Sequence, residues 1–124
     1  EMCLVLDSFT LDFKAWSKLV KEFDNKKKNK EYYEKGKMLV KYRNGLVDRA
    51  INTCSKVIFE GYEALIVNSS LLESDIGNSL LNMGVNLGII WYETGYGIKV
   101  SLRSNKKVDV SILAKKYDGG GHRM

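Results

Sequence analysis

The last quarter of the chain holds the residues best suited to chemistry. Gly119, Gly120 and Gly121 run directly into His122, the only histidine among 124 residues. Glycines let successive backbone N–H groups converge on an anion where a Cβ would obstruct it, and an imidazole beside them can donate to the same oxygen. Upstream, Arg103 offers a planar fork suited to phosphate, and Ser101 and Ser104 add hydroxyls close in sequence. Such a set can hold a phosphate but has no means of breaking it. The residues alone leave a plainer alternative open, in which the glycines are a C-cap and a loose end and Arg103 is an ordinary surface residue of a strand.

Other chemistries find little support. Metal-assisted hydrolysis needs convergent carboxylates and imidazoles, and one histidine with no closely spaced His/Asp/Glu motif does not supply them. Cys3 and Cys54 share no metal-type spacing and form no disulfide framework, and no partner spacing singles out a serine or cysteine nucleophile. The glycines follow a helix instead of a strand, so they are not a dinucleotide fingerprint.

The elements that would position these residues can be read from periodicity. "TLDFKAWSKLVKEF" predicts a short amphipathic helix with Thr10 as its N-cap, and "DNKKKNK" at 24–30 reads as a solvated linker. From Glu31 a helix is expected to run to Phe59 through Leu39, Tyr42, Leu46, Ala50, Cys54 and Val57, with a break at Gly36 or Gly45 left open. "EALIVNSS" reads as a buried strand. Ser70 and Glu73 form a capping box for a helix carrying Leu72, Ile76, Leu80 and Met83, which Gly84 ends.

"LGIIWYET" and "YGIKVSLRS" read as a hairpin joined through Gly95. In its second strand the two-residue period assigns Ile98, Val100 and Leu102 to the core and Lys99, Ser101 and Arg103 to a cationic face. Asp109 caps a last helix through "VSILAKKY". The order predicts an α/β protein, a mixed sheet flanked by helices and preceded by N-terminal connector helices.

Composition agrees with a single domain of ordinary apolar content, in a reducing, cytoplasmic setting and without a membrane span. Charge is unevenly spread. Residues 25–43 carry 8 basic and 2 acidic side chains and residues 99–124 carry 7 and 2, around an acidic middle with 2 and 6. Two basic blocks of this kind suit an anionic partner. The start at Glu1 and the stop just after the glycine motif read as an excerpt of a longer protein.

The segment "VSLRSNKKVDVSILAKKYDGGGHRM" resembles the C-terminal DHH-associated domain of the DHH phosphoesterase superfamily, which includes RecJ-like exonucleases, oligoribonucleases and cyclic-dinucleotide phosphodiesterases. The resemblance rests on Ser101 to Ser104, Val108 to Ser111 and Gly119 to His122. It is sharpest over 97–124 and looser over 62–96. Asp118 stands where the family commonly has a fourth glycine.

The resemblance implies that residues 61–124 are a substrate-binding domain and that residues 1–60 are connector helices following a catalytic domain that this sequence lacks. That N-terminal DHH domain would bind manganese and hydrolyse the phosphodiester, leaving this chain inert alone. Ser101, Arg103, Ser104, Gly119, Gly120, Gly121 and His122 would hold a short oligonucleotide or small phosphodiester. A homodimer is left open. The alternative is a noncatalytic RNA-binding module like those attached to alanyl-tRNA synthetases, with residues 25–43 following the nucleic-acid backbone.

Overall fold

The computed structural model describes residues 2–9, 12–105 and 107–120. The chain divides into two compact units, residues 1–46 and 47–124.

In the first unit, α1 (Met2–Asp7), α2 (Phe13–Phe23) and the larger part of α3 (Lys26–Ile51) enclose a small apolar core. Val5, Leu19 and Tyr32 are its buried centre, with Leu6, Phe9, Phe23 and Leu39 packed around them. Tyr32 sits between the rings of Phe9 and Phe23, and its hydroxyl donates to the Glu22 carboxylate. The cap of α2 is Asp12, whose carboxylate accepts from the Lys14 amide; Thr10, expected in that role, lies outside the described residues.

The lysine segment expected to be a linker is helix. Asn25 Oδ1 accepts from the amides of Lys27 and Lys28 and so starts α3, in which lysine is a good helix former. The helix passes both Gly36 and Gly45 without a break but stops at Ile51, short of the expected Phe59. Val57 continues the helical spacing from Cys54, but Val57 and Phe59 together satisfy a strand period. Pairing decides between them: residues 55–59 form β1 (Ser55–Phe59), joined to β2 (Tyr62–Asn68) by Glu60 and Gly61, whose φ values of 51° and 81° suit a type I′ hairpin turn.

The second unit is the expected α/β arrangement. β2 pairs in parallel with β3 (Leu87–Thr94), with α4 (Glu73–Asn82) between them in sequence. β4 (Gly97–Ser104) returns antiparallel to β3, giving the order β1-β2-β3-β4. α5 (Val110–Lys115) follows, capped by Asp109, which accepts from the Ser111 amide as its position predicts.

Successive side chains of a strand point to opposite faces, and here both faces are covered. Leu65, Val67 and Ile90 meet Ile76 and Leu80 of α4, together with Val47 and Val85. On the other face Ala64, Leu87 and Ile89 meet Val108, Val110 and Leu113. This double burial explains the nearly continuous apolar runs of β2 and β3.

Two local expectations fail for identifiable reasons. Ile98 and Val100 are 66% and 52% exposed, and only Leu102 of their row reaches the core. α5 has six residues and spans about 9 Å, too little to cover a strand of eight residues that spans about 26 Å. The capping box is also absent. Leu72, in the left-handed region at φ 56°, precedes α4 with no side-chain cap, and the Glu73 carboxylate turns to β4 instead of its own helix.

Leu80 is fully buried at 0% exposure, so Leu80→Ala should lower unfolding free energy by about 2–5 kcal/mol in a denaturant titration. Ile98→Ala in the same experiment should change it by less than about 0.5 kcal/mol.

Candidate functional site

The cationic row of β4 lies under the first turn of α4. Gly77 and Gly88 allow this approach. A Cβ on Gly88 would stand 3.1 Å from the Gly77 carbonyl oxygen and 3.3 Å from Leu80 Cβ, and a Cβ on Gly77 would stand 2.5 Å from Arg103 Cγ. The Arg103 stem therefore passes over Gly77, and its guanidinium Nη2 donates to Ser74 Oγ at 2.6 Å.

The rest of the row pairs with Glu73. Ser101 Oγ donates to one carboxylate oxygen and Lys99 Nζ to the other, at 3.1 Å. Lys99 also lies 5.3 Å from the centre of the Tyr92 ring, which it faces across β3 and β4. The Ser101 hydrogen bond holds the Glu73 carboxyl below its ordinary range, against an opposing effect of partial burial, and Lys99 adds to the lowering. Lys99 is raised by hydrogen bonding to Tyr92 and then to Glu73.

Arg103 differs from Lys99 in one respect. Lys99 is paired with a carboxylate, whereas Arg103 is anchored by a neutral hydroxyl and has no carboxylate in ion-pair range among the described residues. One of its five N–H donors is committed to Ser74, and its charge remains uncompensated.

The other expected site residues are placed elsewhere. Ser104 is on the opposite face from Arg103, only 4% exposed and opposite Leu87 in the ladder, so it does not join the Ser101 and Arg103 row. Gly119 and Gly120 follow α5, the helix that packs on that opposite face. The Gly119 amide donates to Ala114 O at 2.9 Å, so it closes the helix end and is not a free donor. A Cβ there would stand 3.0 Å from the same oxygen. Gly121 and His122 lie outside the described residues.

Asp118 adopts φ 56°, the left-handed conformation that favours glycine. The end of α5 is also clamped from the side. Glu60, in the β1–β2 turn, accepts from Lys116 Nζ at 2.6 Å and from the Tyr117 hydroxyl at 2.7 Å, while the Phe59 and Tyr117 rings lie 5.6 Å apart. Hydrogen bonds from Lys116 and then Tyr117 hold the Glu60 carboxyl below its ordinary value.

Glu73, Ser74, Gly77, Lys99 and Glu60 were not singled out from sequence as site residues. Gly77 stands four residues after Glu73 and three after Ser74, one turn on from both, which is the one signal that could have grouped them. No family model matches the chain, and no curated protein or solved structure matches it either. Among the described residues no helix is long and apolar enough to cross a membrane, and no group of three or more His, Cys, Asp or Glu could hold a metal ion.

Gly77→Ala gains about 1 kcal/mol of helix propensity but forces Arg103 and Ile90 aside, so a net loss of about 1–2 kcal/mol is expected in denaturant unfolding. The Glu60 clamp gives a pH prediction. Because its folded value is lowered, its stabilisation is full above the ordinary 4.5 and is lost as pH falls through the lower folded value. The Gly119 amide shift should therefore inflect below pH 4.5, and Glu60→Gln should abolish the inflection.

Proposed function

We propose that the chain is the phosphate-gripping domain of a DHH-type phosphoesterase that acts on short oligonucleotides or related small phosphodiesters. The observation that carries this reading is Arg103, a partly buried cation held in place by Ser74 without a carboxylate partner among the described residues. A guanidinium positioned by a neutral group keeps its full charge for an incoming anion, and its remaining fork matches two phosphate oxygens.

Ser101 lies on the same face, where its hydroxyl is committed to Glu73 and holds that carboxylate beside the Arg103 row, whereas Gly119 and Gly120 follow α5 on the opposite face and do not join this site. The resemblance assigns manganese and bond cleavage to a separate N-terminal domain. The part of this chain is to bind and orient the phosphodiester and to neutralise charge that grows on it during cleavage.

One observation favours the second reading, a noncatalytic RNA-binding module. Because residues 26–30 are helical, Lys26, Lys30, Lys37 and Lys41 recur at spacings that align them along one side of α3. Lys37 is engaged with Glu34, which reduces the array's free charge.

The two readings separate in a titration of the 124-residue chain with the dinucleotide ApA and with long single-stranded RNA at two salt concentrations. The phosphoesterase reading predicts measurable ApA binding that Arg103→Ala weakens by about tenfold or more, with unchanged thermal unfolding, in line with about 1.5–3 kcal/mol for a charged hydrogen bond. Equal affinity in the variant would overturn it. Binding to long RNA alone, with a steep salt dependence, would favour the RNA module.

A further inference from the structure

Glu73 is an unexpected neighbour for an anion site. Its carboxylate accepts from Ser101 Oγ and from Lys99 Nζ, so two of the three β4 donors are already satisfied within the protein. Ser101 and Arg103 are one strand repeat apart, about 7 Å along the backbone, and their helix partners Glu73 and Ser74 are consecutive residues. Asp75, the other acidic residue of the first turn, lies about 200° around the helix from Glu73. Glu93 belongs to the opposite face of the sheet, since it sits across from Ile98.

The charges sum simply. Lys99 and Glu73 cancel, and Arg103 leaves the row with one net positive charge. A phosphodiester carries one negative charge. A terminal phosphate monoester carries between one and two at neutral pH, because its second pKa is about 6.

Building on the phosphate-binding reading above, we infer that Glu73 determines specificity by charge: it matches the row to a monoanionic phosphodiester and disfavours a dianionic phosphate monoester. The extra charge of a monoester is repelled by the fixed carboxylate of the adjacent helix residue, within about one Debye length, which at a hydrated surface weakens binding by about three- to tenfold. A site of this kind holds the diester substrate in preference to nucleoside monophosphates that cleavage releases. Glu73 is a selecting residue and does not itself contact the ligand.

The test compares adenosine monophosphate with its methyl ester, which share a nucleoside and differ in phosphate charge. Calorimetric titrations at pH 7.5 and low salt would use the wild-type chain and Glu73→Gln, Glu73→Asp and Arg103→Ala, each checked for wild-type unfolding. Glu73→Gln should raise the affinity for the monophosphate by about three- to tenfold relative to the methyl ester. Glu73→Asp, which keeps the charge, should retain the wild-type ratio. Should Glu73→Gln prove unstable, Glu73→Ala in the presence of a stabilising osmolyte reports the same ratio.

An unchanged ratio in Glu73→Gln, with both ligands weakened by Arg103→Ala, would overturn the charge-selection inference while leaving the phosphate site standing. Wild-type affinity for both ligands in Arg103→Ala, or no binding of either by the wild-type chain, would overturn the site and the inference together.

Discussion

The contact between Gly77 and Gly88 sets how near α4 lies to the sheet, and the polar row of β4 depends on that distance. With side chains at these positions, the helix would have to withdraw or the strand would have to bend. Ser74 would then lose Arg103, and Glu73 would lose Ser101 and Lys99. The small residues thus do more than permit packing. They bring a helix turn rich in acceptors against a strand edge rich in donors, and they lay the apolar stem of Arg103 along the helix so that only its head remains polar.

That arrangement uses a feature general to parallel strand pairs. The chain leaves β2 at Asn68 and enters α4 through a tight turn in which Ser69 Oγ bonds to Leu71, with Leu72 in the left-handed region. The loop after a parallel strand is where α/β proteins characteristically place ligands. The other face of the sheet has a different task. There α5 and its aromatic clamp to the β1–β2 turn hold the start of the glycine segment, with the Gly119 amide spent on closing the helix.

Features encoded locally were legible in the sequence. Asp109 caps α5, Gly84 ends α4 at φ 92°, and the hairpin turns at Gly95, because each depends on a few adjacent residues. Features decided by distant partners were not. Val57 fits a helix until Ala64 pairs beside it, and Glu73 fits a capping box until Ser101 and Lys99 compete for its oxygens. The lysines of 26–30 read as a linker because their charge suggested solvation, although Asn25 supplies a local cap. Ser101 and Arg103 were correctly joined by the two-residue period. The same period puts Ser104 on the other face, where proximity in sequence had suggested a shared site.

The proposed phosphate site stands or falls with the Arg103 guanidinium as its ligand. Nitrogen-detected NMR of the arginine side chains during addition of a dinucleotide addresses it directly, with the backbone amide of Ser101 followed in the same samples. If Arg103 holds the phosphate, its Nε resonance shifts and sharpens first, together with the Ser101 amide, and the response persists at physiological salt. Movement confined to the lysines of α3, with Arg103 unchanged at saturating ligand, would contradict it.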